Sequence, residues 1–562
     1  MAAKIGFRQA TTWLAEIVGP DSAYVRLGLV YTVAISLLTL ATPISVQLLI
    51  NSVVQTALPA PLWTLSLVLL LLLLLVAGIS ALRTYLMALF ERRLFARVVA
   101  ETTIRAVHAQ NPFFADANRS DLFNRFFDMV VVQKSVPSLV IGAFTILLQG
   151  VVAIVITSFY HPFFLAFNAI LVSILLALWL IWRGGALTGT VALSHAKHEA
   201  ARWLESVGGS NGFYKSDRHF QFAMERSEQV TAAYIGAHKR YFRYSFAQTL
   251  GCLALYAVAS AALLALGGHL ILQGELSIGQ LVAAELILSS VFYGISQLGW
   301  YLDTFYDLVA SSEELSLLFS IPQEPANASG QAPANGAISM RNVCLGASRF
   351  DLEVASGERL VIVAEQEVEH SLALLLKRHA VPAHGILSIG AADLGSLNLF
   401  ALRSAVTVLD RPTIVEVTIR QYLTLAAPNA PSGALLEAVD VVGLTERIAK
   451  LDGGLDTLLG SSGWPLSIGE VMALKLAASL LTRPRVLMLS SLFDLLPVER
   501  LERALASLGE SGTTILLLTR RPEAIRLDGF LWLGRAEQRR FEECSELSAH
   551  LTQREASHVQ PA

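Results

Sequence analysis

Six stretches of about twenty residues each are long enough and apolar enough for a helix to cross the hydrocarbon core of a bilayer, and nothing else in the sequence limits the fold so strongly. They are 27–50, 63–82, 138–158, 163–182, 250–271 and 279–300; five carry no Asp, Glu, Lys or Arg, and the sixth carries only Glu285. All lie before Phe319, so the chain divides into an apolar first part and a more polar second part. The run 27–50 is too long for the core of a signal peptide and has no small-residue cleavage site, which predicts that it stays in the mature protein.

The distribution of Lys and Arg sets an expected orientation, because cationic segments are retained on the cytoplasmic side. Segments 51–62, 159–162 and 272–278 contain none. The segment after the second run carries Arg92, Arg93, Arg97, Arg105, Arg119, Arg125 and Lys134, and the one after the fourth carries Arg183, Lys197, Arg202, Lys215, Arg218, Arg226, Lys239, Arg240 and Arg243. Both termini are therefore expected inside. The two cationic segments are long and helix-compatible, so spans two to five are predicted to continue as helices beyond the membrane.

A net charge of −3 gives no global basic field, and nucleic acid is excluded as a partner. Cys252, Cys344 and Cys544 are too scattered for a disulfide framework or a metal site.

Residues 322–337 are rich in Pro, Gly, Ala and Asn without apolar period, the composition of a linker. After them short β-type runs at 360–363, 406–409, 486–489 and 514–518 alternate with helical stretches, as in a parallel α/β sheet. The expected organisation is a helical membrane domain (1–321), a linker (322–337), an α/β domain (338–551) and a tail (552–562).

Several stretches resemble the ABC exporter family. In the first part these are Asn111-Pro112-Phe113-Phe114 with Asp121-Leu122-Phe123-Asn124-Arg125, similar to the first intracellular loop, and Gly274-Glu275-Leu276-Ser277-Ile278-Gly279-Gln280-Leu281-Val282-Ala283, similar to the start of the sixth helix. In the second part they are Gly357-Glu358-Arg359, Leu402-Arg403, Thr418-Ile419-Arg420 and Gly453-Gly454-Leu455-Asp456-Thr457. Most specific is Leu466-Ser467-Ile468-Gly469-Glu470, a helical stretch, then Pro484-Arg485-Val486-Leu487-Met488-Leu489, which resembles the LSGGQ signature, its helix and the Walker B strand in order. The resemblance implies a half-transporter: six membrane helices of the type I exporter kind, then a P-loop-type ATPase domain.

The residues that such a domain needs for chemistry are replaced. A phosphate loop uses glycines to turn N–H groups toward phosphates, a Lys for charge and a Ser/Thr hydroxyl for Mg²⁺. Set against GxxGxGKST, the three glycines are Ala364, Glu367 and Glu369, the Lys is His370, and Ser371 alone remains of the Ser-Thr pair. Ser490 and Ser491 stand where the resemblance implies the Walker B Asp-Glu, Asp410 at the Q-loop glutamine and Arg520 at the switch histidine. Phe350 is the one aromatic in 346–350 that adenine could stack on. Ser467 and Gly469 of the signature are kept and Glu470 stands in for its glutamine, while Ile468 replaces a glycine and narrows the approach.

In this family each ATP lies between the Walker side of one half and the signature of the other. The implied role is a non-catalytic half that hydrolyses no ATP alone. Its signature would complete an ATP and Mg²⁺ site on a second half with intact motifs, in the plasma or inner membrane, with a periplasmic adaptor as a further partner. The alternative is an ATPase-dead scaffold or receptor on the same fold. Glu285 marks a candidate substrate pathway, since an ionisable group within a span is costly, although a place about two turns from the outer surface would also hydrate it. Gln149 and Asn168 read more simply as interhelical hydrogen-bonding groups.

Overall fold

The computed structural model describes residues 7–39, 41–56, 60–110, 120–159, 161–275, 278–324 and 330–559. They fall into two compact units, Met1–Gln323 and Glu324–Ala562.

The first unit is helical: α1 (Phe7–Val18), α2 (Ser22–Leu38), α3 (Ala41–Thr56), α4 (Ala60–Val107), α5 (Asp128–Ser138), α6 (Phe144–Ser158), α7 (Pro162–Gly209), α8 (Asp217–Leu272) and α9 (Ile278–Phe319). Among the described residues, six helical segments are long and apolar enough to cross a membrane: Arg8–Val46, Leu62–Val107, Leu122–Ser158, Pro162–Gly209, Asp217–Leu272 and Gln280–Phe319. α4 and α7 run for 48 residues and α8 for 56, well past their apolar stretches. α2 and α3 both cover parts of the run 27–50, with Pro43 in the first turn of α3, where a missing N–H is tolerated. A proline explains one interruption that the apolar runs did not reveal. Pro137 cannot donate to the carbonyl four residues back, and the helix passes through a π turn at Leu139–Ala143 before α6 begins.

Polar groups tie these helices together. Buried Arg83 donates to the Thr32 and Thr145 hydroxyls, joining α4 to α2 and α6. Asn168 Nδ2 donates to Thr157 Oγ1 and Ser158 Oγ, and Gln149 Nε2 to Thr39 Oγ1, so both amides act as helix–helix connectors. Of the family-like stretches, 111–119 and 276–277 lie outside the described residues; Leu122–Arg125 belong to a 3-10 segment, Ser120–Phe127, from which Arg125 pairs with buried Glu314. Glu285 is exposed on α9, although its neighbours Ala284, Ile287 and Leu288 are buried.

The second unit runs β1 (Ile338–Leu345), β2 (Ser348–Val354), β3 (Arg359–Ala364), α10 (Gln366–Leu376), β4 (His384–Ile389), β5 (Ala392–Asp393), α11 (Leu399–Ala405), β6 (Val406–Leu409) and α12 (Ile419–Ala426). It continues through α13 (Ser432–Val441), α14 (Thr445–Ala449), α15 (Ile468–Thr482), β7 (Val486–Leu489), α16 (Val498–Glu510), β8 (Thr514–Leu518), β9 (Gly529–Leu533), β10 (Gln538–Phe541) and α17 (Cys544–Val559). The four expected apolar runs are β3, β6, β7 and β8. They lie in a six-stranded sheet of order β10-β9-β3-β8-β7-β6, parallel except for β10. Every residue of β7, β8 and β9 is buried, as a sheet covered on both faces requires. A separate antiparallel sheet has the order β2-β1-β4-β5. α17 extends beyond residue 551, where the sequence placed the domain's end, and its Arg554 lies 4.4 Å from the centre of the Trp532 ring and pairs with Glu365.

Candidate nucleotide site

Parallel α/β sheets bind ligands at the carboxyl ends of their strands. Here β3, β7 and β8 are neighbours, so the segments that follow them, beginning at Glu365, Ser490 and Thr519, meet along one edge.

The loop after β3 is short. Glu365 caps α10, which starts at Gln366, and the N–H groups of Val368 and Glu369 donate to the Glu365 carbonyl at 2.9 and 3.0 Å. A phosphate cradle requires such N–H groups to be unpaired and convergent; here they close the first helical turn instead. Val368 is fully buried, fixing that turn in the core.

The acidic side chains of the loop have internal partners. Arg535 pairs with Glu367 at 2.7 Å, and Arg554 with Glu365 at 3.3 Å. Glu369 reaches across the edge to accept from the Ser491 N–H at 3.4 Å. Burial holds its carboxyl above the usual range, with the Ser491 N–H and the Arg520 charge acting the other way. Ser371 Oγ donates to the Glu367 carbonyl at 2.9 Å, and with Glu367 and His370 it lines a shallow depression beside Gly346 and Ser348. Ala364 ends β3. Phe350, which the sequence left as an adenine platform, is fully buried in the core and has no face to offer a base.

At the remaining positions the substituted residues also have structural partners. Asp410 pairs with Lys377 at 2.6 Å. Ser490 Oγ accepts from the Leu492 N–H at 3.4 Å. The Arg520 N–H donates to Asp494 at 2.9 Å, and Thr519 Oγ1 donates to the same carboxylate at 2.6 Å. Asp494, five residues after the end of the Walker B-like stretch at Leu489, was not singled out from the sequence. Its partners lie 25 and 26 residues away in the chain, so no local pattern marks it.

The signature stretch has the opposite character. Ser467 is the N-cap of α15: its Oγ accepts from the Glu470 N–H at 3.3 Å while Glu470 accepts from the Ser467 N–H at 2.8 Å, a reciprocal capping box. The hydroxyl accepts within the helix, so its proton is available to an acceptor outside. Arg447 holds Glu470 at 3.2 Å. A Cβ on Gly469 would meet nothing nearer than 3.7 Å, so this position is open, whereas Ile468 projects with 53% of its surface exposed. An exposed helix N-terminus with a capping serine is suited to an anion. Two other family-like stretches meet through Arg420 and Asp456, joined by two hydrogen bonds of 2.7 and 3.0 Å.

A helical unit with six candidate spans, followed by this α/β unit, defines the ABC exporter fold. The match to a solved bacterial Atm1-family ABC exporter with ATP bound covers 98% of this chain and 99% of that one, with a TM-score of 0.77; at 19% identity it is a likeness of fold. Among curated proteins the chain is similar to the leukotoxin export ATP-binding protein LtxB of Aggregatibacter actinomycetemcomitans, 27% identical over 286 residues. It is also similar to the exotoxin translocation ATP-binding protein PaxB of Pasteurella aerogenes, 24% identical over 315 residues, and the leukotoxin translocation ATP-binding protein LktB of Mannheimia haemolytica, 25% over 274 residues. These alignments take in 47%, 53% and 46% of this chain but only 40%, 44% and 39% of the relatives, less than half their length. No family model matches the chain.

Proposed function

We propose that this chain is a subunit of an ABC-type membrane exporter that hydrolyses no ATP at its own Walker side and uses its signature to complete an ATP and Mg²⁺ site on a second half-transporter. The observation that carries the proposal is a contrast within one domain. The Val368 and Glu369 N–H groups and the loop carboxylates after β3 have internal partners, while Ser467 and Gly469 stand open at the start of α15. The residues present do not fit a bound triphosphate on the Walker side. Ser467, Gly469 and the first turn of α15 fit a phosphate held by a partner.

The six candidate spans support a place in the lipid bilayer, and the cationic segments support cytoplasmic termini; the inner membrane is part of the same proposal. Export of a toxin or similar molecule is the reading that the names of the relatives support; a periplasmic adaptor as partner and Glu285 as a group on the substrate pathway are further parts of the proposal. The test is to purify the chain from native membranes, identify any second half that accompanies it, and measure Mg-ATP binding and turnover with and without that partner. The expected result is weak binding and no turnover alone, with turnover only in the pair. Turnover by the isolated chain at the rate of a working exporter would contradict it.

A further inference from the structure

Past the ends of the apolar stretches, three helices of the first unit bring together side chains unrelated to nucleotide chemistry. At 1.5 Å rise per residue, His195 lies about 20 Å beyond residue 182 on α7 and Glu314 about 21 Å beyond residue 300 on α9, so they stand at one level. His195 Nε2 is 3.1 Å from Glu313 Oε2 and 3.8 Å from Glu314 Oε1. One ligand atom from each of these three residues lies within 4.8 Å of the others. Glu314 is fully buried, its Oε2 held by Arg125, and its Oε1 has no hydrogen-bond partner. A buried carboxylate oxygen without a partner is costly and calls for a cation or donor at that point.

The neighbours define which cation. His198 Nε2 is 3.9 Å from Glu314 Oε1 but is committed to Asp128 at 2.5 Å, and Lys197 adds a 2.7 Å bond to the same carboxylate. Asp128, Glu313 and Glu314 against Arg125 and Lys197 leave three carboxylates facing two cationic side chains. A tetrahedral ion with bonds of about 2.0–2.2 Å sets its ligand atoms roughly 3.3–3.6 Å apart. The separations of 3.1 and 3.8 Å lie on either side of that range. One imidazole with two carboxylates favours a first-row transition ion over Mg²⁺ or Ca²⁺. The His195 side chain is half exposed, which gives an ion access and leaves room for water as a fourth ligand.

We propose that His195, Glu313 and Glu314 form a zinc-class divalent metal site that fastens α7 to α9, with His198 and Asp128 as its bordering hydrogen-bonded pair. The untagged full-length protein in detergent, stripped with EDTA and reloaded with ZnCl₂, is expected to keep about one Zn²⁺ per chain through gel filtration, read by elemental mass spectrometry. Competition against a chromophoric chelator is expected to show binding at least ten-fold weaker in His195→Ala, whose exposed position leaves the fold intact. Because Glu314→Gln would also disturb Arg125, Glu313→Gln serves as the second variant and is expected to weaken binding similarly. Co²⁺ in place of Zn²⁺ should give visible absorption bands that His195→Ala removes. Metal retention no greater than a detergent blank, affinities of both variants within two-fold of the parent, or displacement of Zn²⁺ by millimolar Mg²⁺ would each overturn the site.

Discussion

Glu367 and Glu369 stand where a phosphate loop has glycine, and charge alone sets the scale of what they do. A carboxylate about 5 Å from a phosphate charge costs on the order of 3 kcal/mol at an effective dielectric near 20, about a hundredfold in affinity. The combined replacement Glu367→Gly, Glu369→Gly and His370→Lys is therefore expected to raise Mg-ATP affinity of the isolated chain by about a hundredfold or more, measured by equilibrium binding; no gain would show that charge is not the obstacle. His379 gives a pH signature. Burial, with Arg403 and Lys377 adding to it, pushes its pKa down to about 4. With the folded pKa depressed, the unfolded chain binds the proton more readily, so this contribution is full above the ordinary histidine pKa of about 6.5 and is lost as pH falls toward 4. Melting temperatures across that window should fall less steeply in His379→Gln than in the parent. An identical slope would remove His379 from the account. At this scale the sequence revealed which residues are substituted but not what they touch. Glu369 meets Ser491 across 122 positions and Glu365 meets Arg554 across 189, and no spacing rule connects such pairs.

The elements were more legible, because burial on both faces forces continuous apolar runs and a capping box has a local signature. The four strands around the site and the start of α15 are examples. The irregular turn after Pro137 was readable in principle, but apolar composition hides it: a helix that passes through a π turn keeps the same hydropathy. α17 continues past residue 551 and is tied back by the contact of Arg554 with Trp532 and Glu365. Arg554→Glu places like charges together and removes the ring contact. It is expected to cost about 1 kcal/mol, lowering the melting temperature by about 2–4 °C, and to expose the end of α17 to protease. An unchanged cleavage pattern would mean that this contact does not hold the helix. In the membrane unit, a Cβ on Gly142 would fall 2.1 Å from the Tyr301 hydroxyl and 2.5 Å from its ring. Gly142→Val should therefore destabilise the detergent-solubilised protein by about 1–3 kcal/mol, seen as earlier thermal aggregation.

For the whole molecule, the charge asymmetry of the loops makes a topological statement. In a background lacking native cysteines, a cysteine in place of Thr56 should react with an impermeant reagent from outside and one in place of Ser216 should not; the reverse would sink the orientation. The central claim is that one chain has an occupied Walker side and an open signature, and it is tested most directly in a reconstituted pair. Losing the Ser467 hydrogen bond to a charged phosphate is worth about 1.5–3 kcal/mol, and an arginine there adds bulk where two halves would close. ATP turnover of the pair should be nearly abolished by Ser467→Arg, while Ser491→Glu restores no second site because Glu367, Glu369 and His370 still face it. Unchanged turnover with Ser467→Arg would contradict the account, showing that this domain completes no catalytic site.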